Sequence, residues 1–422
     1  MPEQVDLIVL GGGPAGAISA WLAARDGLDV VLVDPIRPRP RIEGLGPRLH
    51  RWLAGQGLLH GFDGVIGPLG RRVDWAGLGG DAGGRNGEYL VERAALDRHL
   101  RRAATDAFAR LVQGSGRPAP GGALLAGGDR IAAAMVIDAR GRGTPAPDTR
   151  APATLALSGW IAANLPPGIR LGAFPGGWLW RAALPDGRVW VQVMLDAAGP
   201  GSPAERLCAA MAEGEPALAG AALAGEVLVR EAAARLPDPV DDLSVLRVGD
   251  AFAAIDPLSG HGQFWAVSSA LAVAAVRRTL AADPDSADIC RQFLNRRARE
   301  TSLHQARIGR DFIRLEDRFQ GAPFWRARRE FPDDLPASRH LAAPEIRPAI
   351  VIEDGLLARR DILHTPRSPD GIGWFGAVPA PEAWRLWRAG GGSALGVRWG
   401  VPAAARLARQ LQAEMTPAAI AG

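Results

Sequence analysis

The chain has 422 residues, of which 47% are hydrophobic and 22% charged, a balance typical of a folded protein with a large core. The net charge is +4 and all 49 basic residues are arginines, spread along the chain, so no nucleic-acid-binding stripe is indicated. The two cysteines, Cys208 and Cys290, form no motif, which excludes a C-x-x-C redox centre and favours a reducing cytoplasm.

Membrane and metal signals are weak as well. We expect no stretch with the uninterrupted apolar length of a membrane span. We expect the first strand to begin by Val5, without a basic-then-apolar leader before it. The seven histidines show no metal-ligand spacing. The sequence therefore predicts a cytoplasmic protein without a membrane span, a bound metal or a nucleic-acid partner.

The segment Val5–Asp34 carries the clearest structural signal. Its first part, Val5–Leu10, is a short apolar run with β-branched residues, which predicts a buried parallel strand. The glycine-rich turn GGGPAG follows, then an alanine-rich helix, then a second apolar strand that ends in the acid. Strand, turn, helix, strand and acid in this order predict a dinucleotide-binding unit. The residues of the turn expected to bind the cofactor are Gly11, Gly13, Pro14, Ala15 and Gly16.

Each glycine of this turn has a separate physical reason. Gly11 permits the tight turn, Gly13 lets a pyrophosphate approach the backbone, and Gly16 lets the helix pack closely on the strand. Pro14 suits the first turn of the helix, whose N-terminus offers free N–H groups to phosphates. Asp34 is placed to accept hydrogen bonds from a ribose diol.

The next elements follow in chain order with mixed signals. Apolar spacing predicts a helix over Pro47–Gly55, and the glycine-rich Val65–Glu88 predicts loop or short edge strands. A strand followed by an amphipathic helix is expected in Tyr89–Phe108. A hairpin or loop is expected in Gly114–Ala126, and a strand ending in a glycine turn in Ile131–Gly143.

The pattern changes after residue 153. Alternating strands with a Pro-Asp-Gly turn at Pro185–Gly187 predict an inserted, largely antiparallel domain. A charged helix is expected over Arg291–Arg329, and a hairpin in the tail from Ala349. The fold class is thus α/β, a doubly wound nucleotide-binding domain with an inserted antiparallel β substrate domain and a helical C-terminal region. The predicted domains are residues 1–70, 88–152 and 243–285 for the nucleotide, 71–87 and 153–242 for the substrate, and 286–422 for the C-terminal region.

A second glycine element, Val248–Gly262, distinguishes between cofactors. It follows a strand and contains Gly249 and Asp250, whose carboxylate can accept hydrogen bonds from a polyol chain. Pro257 can present a rigid apolar surface to a planar ring, and the N–H groups near Gly260 and Gly262 can face a ring carbonyl that gains negative charge on reduction. A nicotinamide cofactor has no ribityl chain, whereas FAD has one, so this element favours FAD.

With these motifs, the chain resembles the FAD-dependent monooxygenases of the aromatic-hydroxylase type, together with the related flavin halogenases and geranylgeranyl reductases. The resemblance covers most of residues 1–285 and implies a GR2-type Rossmann domain. VERAALD (Val91–Asp97) is similar to the family segment in which an arginine contacts FAD, which implies that role for Arg93. IDARGRG resembles the family's D-A-x-G-R turn, and the second glycine element resembles its G-D element.

One further family segment matches less well. EGLGP (Glu43–Pro47) is similar to the family's G-E-x-L-x-P, with Ile42 where glycine is usual, and the adjacent Arg41 is expected among the cofactor-binding residues. The G-D element also differs, because Phe264 replaces the asparagine common in hydroxylases.

The inserted domain contains a segment that resembles tryptophan halogenases. Trp178 and Trp180 match the W-x-W of their W-x-W-x-I-P segment, but Ala182 and Ala183 replace Ile-Pro. The two tryptophans could line a substrate pocket or could pack within a strand. Those halogenases depend on an active-site lysine, and this chain contains none. We therefore expect halogenase-like architecture without halogenation.

The resemblance implies a monooxygenase. NADH or NADPH would reduce the flavin, molecular oxygen would add to it, and the resulting flavin hydroperoxide would attack an electron-rich aromatic or indole ring. His261 is the one catalytic candidate in the flavin-facing loop, although a polar loop residue is the simpler interpretation. The chain also looks similar to the enzyme type that hydroxylates a tryptophan of a small protein subunit in quinohemoprotein amine dehydrogenase biogenesis. The open stretch Gly77–Gly87 would be compatible with a protein-sized substrate.

Other functions stay open at this point. A geranylgeranyl-reductase-like reductase or dehydrogenase is the main alternative, although Tyr89, the only tyrosine, lies outside the signature of those reductases. A halogenase and a non-catalytic FAD scaffold are the remaining ones. The partners expected are a small aromatic molecule or a small protein subunit, together with oxygen.

Overall fold

The structure is a computed structural model that describes residues 3–37, 40–81, 88–338 and 340–416. The helices are α1 Pro14–Arg25, α2 Pro47–Gly55, α3 Arg93–Asp106, α4 Pro203–Gly214, α5 Gly262–Ala282, α6 Ala287–Leu315, α7 Pro323–Arg328, α8 Ala380–Trp399 and α9 Val401–Glu414. The strands are β1 Glu3–Leu10, β2 Val30–Asp34, β3 Ile42–Leu45, β4 Val65–Leu69, β5 Arg71–Trp75, β6 Leu78–Asp81, β7 Glu88–Glu92, β8 Arg110–Gln113, β9 Gly116–Ala119, β10 Gly122–Leu125, β11 Arg130–Asp138, β12 Thr154–Ala162, β13 Gly168–Phe174, β14 Gly177–Ala183, β15 Val189–Asp196, β16 Ala222–Leu223, β17 Leu228–Glu231, β18 Val245–Arg247, β19 Glu345–Glu353, β20 Leu356–His364, β21 Trp374–Phe375 and β22 Val378–Pro379.

The first sheet contains the strand–turn–helix–strand unit that is predicted to bind a dinucleotide. Its strand order is β8-β2-β1-β11-β10-β9, and β18 also pairs with β11. The pairs among β8, β2, β1, β11 and β18 are parallel, whereas β10 pairs antiparallel with β9 and β11. Both faces of a parallel sheet are usually buried by other elements, which explains why the sequences of β1 and β2 are continuous apolar runs. The predicted α/β class and the predicted helix over Pro47–Gly55 are confirmed.

A second, larger sheet forms the inserted β layer. Its order is β16-β12-β15-β14-β13-β5-β6, with β17 also paired to β12. All of its pairs are antiparallel except that between β5 and β13. The Pro-Asp-Gly turn joins β14 to β15, as its turn chemistry predicts. A smaller antiparallel sheet, β3-β7-β4, holds the segments around Glu43 and Tyr89.

The chain separates into two compact units. The first comprises Met1–Ala274 and Leu294–Leu335, and the second comprises Ala275–Phe293 and Pro336–Gly422. The second unit contains the β19–β20 hairpin with α8 and α9 around a small apolar core, and α8 is kinked at Gly390 and Gly391. The boundaries predicted from sequence for the substrate and C-terminal domains stay predictions, and residues 82–87 of the stretch Gly77–Gly87 lie outside the described residues.

One helix differs from the expectation about membrane spans. By length and composition, α5 could cross a membrane. However, 61% of its apolar window is buried within the protein, as in the core helices of folded domains, which pass the same test. Its apolar character is therefore explained by the core that it enters.

Candidate cofactor and substrate site

The turn between β1 and α1, Gly11–Gly16, is here called the nucleotide loop. Gly11 has φ +103, and a Cβ atom there would lie 2.4 Å from the carbonyl oxygen of Ala139. A Cβ on Gly16 would lie 1.8 Å from the oxygen of Gly11. No side chain fits at either position. The loop can therefore approach β11 and its own helix as closely as the glycine pattern of dinucleotide-binding turns requires. Pro14 begins the helix and, like Ala15, is buried.

The acid at the end of β2 is tied to this loop. Asp34 accepts the N–H of Gly12 at 2.6 Å and that of Ile36 at 2.7 Å, and Arg101 Nη1 lies 3.6 Å from its Oδ1. Each carboxylate oxygen has two lone pairs, so the side chain retains acceptor capacity for a diol. Ribose binding by Asp34 stays a prediction that this position permits.

Beside the nucleotide loop lies a group of buried charges. Glu43 accepts hydrogen bonds from Arg41, from Arg93 Nη1 at 3.0 Å and from Gln263 Nε2 at 2.9 Å. Arg93 also donates to Asp97 at 2.6 Å and lies over Gly13, where a Cβ atom would be 3.2 Å from its Nη2. We call the following residues the arginine cluster: Arg41, Glu43, Arg93, Arg142, Arg230 and Gln263.

The electrostatics of the cluster are dominated by cations. Burial opposes ionisation of Glu43, but Arg41, Arg93 and Arg230 outweigh it and hold its pKa well below the ordinary range. Burial likewise opposes the charge of Arg93, but Glu43 and Asp97 raise its pKa. For Arg230, burial and the repulsion from Arg41 lower the pKa to about 10, so the side chain is charged at neutral pH. The cluster thus carries a net positive charge.

The second glycine element lies directly against the nucleotide loop. Gly249 has φ +58, and a Cβ atom there would lie 3.0 Å from that of Ala15. Its N–H donates to Ser269 Oγ at 2.8 Å, and Trp265 Nε1 donates to its carbonyl at 3.1 Å and to that of Ala253 at 2.8 Å. These bonds from α5 fix the backbone that presents Asp250. Sequence reasoning did not identify Trp265, whose indole N–H needs a partner once the ring is buried.

The roles predicted for Asp250 and for the loop Pro257–Gly262 in flavin binding stay predictions, and the structure gives their surroundings. Asp250 lies 3.4 Å from Arg142 Nε, next to the glycine turn after β11. Pro257 begins a short turn that Asp256 caps by accepting the N–H of Leu258 at 2.8 Å. Gly260 has φ +69 and Gly262 starts α5. His261 is exposed and contacts the backbone oxygen of Ser259 through Nδ1. Its catalytic role stays a prediction.

A cavity adjoins this loop on the side of the inserted sheet. Trp178, Met194, Asp256, Pro257 and Phe331 are among its lining residues, and its volume is about 30 Å³, room for about one water molecule. Four of the lining residues, Ala151, Pro152, Ala233 and Phe331, also line an outer cleft of about 750 Å³.

The two predicted substrate residues differ in their surroundings. Trp178 is buried and reaches the cavity, whereas Trp180 packs in the sheet core and is not among the cavity residues. The structure therefore brings Trp178 together with Pro257. Burial raises the pKa of Asp256, although Arg328 and Arg142 oppose that shift.

The residues present fit FAD. The nucleotide loop offers the backbone approach for a pyrophosphate, and the arginine cluster holds excess positive charge beside it. Arg230 faces Arg41, Arg93 and Arg142, and no carboxylate among the described residues forms an ion pair with it, so an anionic ligand would balance the charge of the cluster. Arg230, Glu43, Gln263 and Arg142 were not predicted as site residues. Glu43 and Arg142 lie in segments matched to the family, whereas Arg230 lies in a predicted strand that matches no family motif.

Comparison with known proteins supports this assignment. A solved structure titled as the peptidyl tryptophan dihydroxylase QhpG, essential for tryptophylquinone cofactor biogenesis, matches with 32% identity and a TM-score of 0.79. The match covers 97% of this chain and 99% of that one. The chain belongs to the family of this dihydroxylase and is an FAD-dependent oxidoreductase.

Two solved halogenase structures share the fold. The FAD-dependent chondrochloren halogenase CndH matches 79% of this chain and 87% of its own, with 24% identity and a TM-score of 0.68. The flavin-dependent halogenase CmlS matches 97% and 95% of the two chains, with 17% identity and a TM-score of 0.73. At these identities the likeness shows the fold alone.

Curated relatives match a shorter part. Menaquinone reductase of Mycobacterium tuberculosis is 35% identical over 130 residues, 27% of this chain. Digeranylgeranylglycerophospholipid reductase 2 of Methanococcoides burtonii is 33% identical over 114 residues, 24% of this chain. The chain spans about 30% of the length of the first and 26% of the second. No protein-family model matches the chain.

Proposed function

We propose that the chain is an FAD-dependent monooxygenase that hydroxylates an electron-rich aromatic ring, in its sharpest form the indole of a tryptophan within a polypeptide. The observation that carries this proposal is the full-length similarity to a peptidyl tryptophan dihydroxylase, at 32% identity. In this proposal NADH or NADPH supplies electrons, oxygen is the co-substrate, and the protein acts as a soluble cytoplasmic enzyme on a small protein subunit. An aromatic small molecule is the broader substrate class.

Bound FAD would supply the oxidant, a flavin hydroperoxide. The residues of the chain would bind the cofactor, orient the aromatic ring and exclude water. The nucleotide loop and the arginine cluster hold the anionic parts of the cofactor, and the turn held by Trp265 presents Asp250 to its ribityl chain. The apolar side chains Trp178, Met194 and Phe331 exclude water from the reacting ring. The inner cavity holds about one water molecule, so an indole can enter only if side chains at its mouth move. Phe331 is suited to this because it lines both cavity and cleft.

A second candidate function follows from the curated relatives. The matches to quinone and prenyl-lipid reductases favour a flavin reductase or dehydrogenase that does not activate oxygen. Halogenation is disfavoured because the chain contains no lysine.

One experiment separates these functions. The FAD-loaded protein, reduced photochemically, is mixed with oxygenated buffer and a tryptophan-containing peptide from a tryptophylquinone-forming subunit. A matched peptide with phenylalanine at that position is the control. A transient hydroperoxide absorbance, with a mass gain of one or two oxygen atoms on the tryptophan peptide alone, is expected. Single-step reoxidation and unchanged peptide mass would contradict the proposal and favour the reductase, to be tested next with menaquinone.

A further inference from the structure

Arg230 is a charged side chain for which the described residues provide no ion-pair partner. It lies on β17, opposite Ala156 of β12, and is half-buried. Its Nε is shielded from solvent and has no hydrogen-bond partner, while Nη2 lies 3.5 Å from Gln192 Oε1, at the limit of a hydrogen bond. No carboxylate among the residues that the structure describes forms an ion pair with Arg230. An unpaired charge in such a place is costly unless a ligand completes it.

Other arginines of the inserted sheet, of the turn after β14 and of α7 form ion pairs, although Nη1 of Arg181 is buried without a hydrogen-bond partner. Arg181 lies 3.0 Å from Glu215, Arg188 lies 2.8 Å from Asp186, and Arg328 lies 2.7 Å from Asp196. Buried arginine nitrogens without a hydrogen-bond partner also occur at Arg170, Arg181 and Arg235, but each of those side chains has a carboxylate within ion-pair distance. Arg230 has none among the described residues, and this lack of an ion pair distinguishes it from them.

The four charges that face Arg230 are three arginines, which increase the excess of positive charge, and one glutamate, which reduces it. They are Arg41, Arg93, Arg142 and Glu43. Glu43 already accepts from Arg41, Arg93 and Gln263, so its negative charge is shared. A pyrophosphate would be served by the nucleotide loop and by Arg93, which lies over Gly13. Gln263, by contrast, belongs to the first turn of α5, beside the glycines expected to face the flavin ring.

We propose that Arg230 stabilises the reduced, anionic flavin ring and so raises the reduction potential of the bound cofactor. A hydride from NADH or NADPH adds two electrons and one proton to the neutral oxidised ring, which becomes a monoanion, and the reductant leaves oxidised. A partly buried cation held beside the ring would bind that anion more tightly than the neutral form. The inference rests on the FAD binding of the proposed function and is independent of the aromatic substrate.

The experiment compares two equilibrium measurements. The dissociation constant of oxidised FAD is measured by flavin fluorescence, and the midpoint potential of the holoprotein by equilibration with a reference dye. Arg230→Met is expected to lower the relative affinity for reduced over oxidised flavin at least tenfold, a potential shift of about 30 mV for a two-electron couple. Arg230→Lys keeps the charge and should retain most of the wild-type potential. Arg188→Met changes an exposed arginine in the turn between β14 and β15, and this control variant should leave both quantities unchanged.

The outcomes separate the alternatives. A large loss of affinity for oxidised FAD with an unchanged potential would assign Arg230 to the phosphates and overturn the proposal. Unchanged affinity and potential would overturn it as well. If the methionine variant fails to fold, Arg230→Gln removes the charge while keeping a polar side chain, and the same potential shift is required of it. Failure of aromatic hydroxylation would leave these measurements, and the inference, unaffected.

Discussion

The nucleotide loop and the arginine cluster lie next to each other but are built in opposite ways. The loop consists of consecutive residues whose backbone is predicted to contact the cofactor. Its glycines at positions 11 and 16 are required because a Cβ atom there would collide with backbone oxygens. The cluster gathers side chains from segments far apart in sequence, from Arg41 to Gln263. Backbone approach leaves a pattern in the sequence, whereas a charge balance assembled from remote strands leaves none.

This contrast predicts opposite sensitivities. Adding an atom to the loop should lower stability and FAD binding because of steric collision. Removing a charge from the cluster should lower stability because the remaining charges are no longer balanced. The turn around Gly249, held against Ala15 by bonds from Trp265, joins the two regions. The mutations below test the contrast, and each has a matched control.

The largest effect is expected from adding one methyl group to the loop. Gly16→Ala places a Cβ atom 1.8 Å from the oxygen of Gly11, so α1 must move away from β1. We expect a loss of about 4 kcal/mol or more in the free energy of unfolding and no retention of FAD. Gly55→Ala, which meets no atom within 4 Å in α2, is the control and should be neutral or slightly stabilising. The measurements are urea unfolding and the flavin content of the purified protein. A stable Gly16→Ala holoprotein would contradict the steric argument.

Removing the shared carboxylate should have the next largest effect. Glu43→Gln leaves Arg41, Arg93 and Arg230 facing one another, and we expect a loss of about 3 kcal/mol in the absence of FAD. Added FAD should recover more stability in this variant than in the wild type, because the anion replaces the lost charge. Thermal unfolding with and without FAD measures both. Glu382→Gln, which breaks the exposed pair with Arg398, should change stability by less than about 1 kcal/mol.

The same variant has a defined pH dependence. The pKa of Glu43 is lowered in the folded state, so its contribution is complete above the unfolded-state pKa and decreases as the pH falls towards the folded-state pKa. The wild type should therefore lose stability on acidification below about pH 4.5 more steeply than Glu43→Gln. Parallel acid-unfolding curves would show that the carboxylate does not carry the charge balance.

Much of the fold was predictable because its signals are local. The Val5–Asp34 unit, the helix over Pro47–Gly55 and the Pro-Asp-Gly turn follow from periodicity and turn chemistry within short windows. The candidate site was predictable only where a backbone motif defines it. Arg230 and Trp265 could not be predicted as site residues from the sequence, because their roles depend on which strand or turn the fold places beside them. Trp178 and Trp180 lie on one strand with the same spacing signal, and only tertiary packing separates the cavity residue from the core residue.

A smaller effect is expected where the two regions join. Trp265→Phe removes the donor to Gly249 and Ala253 while keeping an aromatic ring, and should cost about 1–2 kcal/mol and weaken FAD binding. Trp325→Phe is the control, since its Nε1 donates to Phe174 at 2.9 Å, away from this turn. Both variants should lose stability, and only Trp265→Phe should lose FAD affinity, measured by fluorescence titration. If the two variants bound FAD with equal affinity, the turn around Gly249 would not contribute to cofactor binding.

The smallest effect tests whether the cavity is built for stability or for chemistry. Burial raises the pKa of Asp256, so ionisation is less favourable in the folded than in the unfolded state. Stability should therefore decrease as the pH rises from the unfolded-state pKa through the folded-state one. Asp256→Asn keeps an oxygen to cap Leu258 and removes the charge. At neutral pH it should be at least as stable as the wild type, and the difference should shrink towards acid pH. Gly309 of α6 packs closely on this side chain, since a Cβ there would lie 2.8 Å from Asp256 Cγ, and asparagine fits the same space because it has nearly the same size. A marked loss of stability at neutral pH would instead make Asp256 a structural cap whose charge is compensated by Arg328 and Arg142.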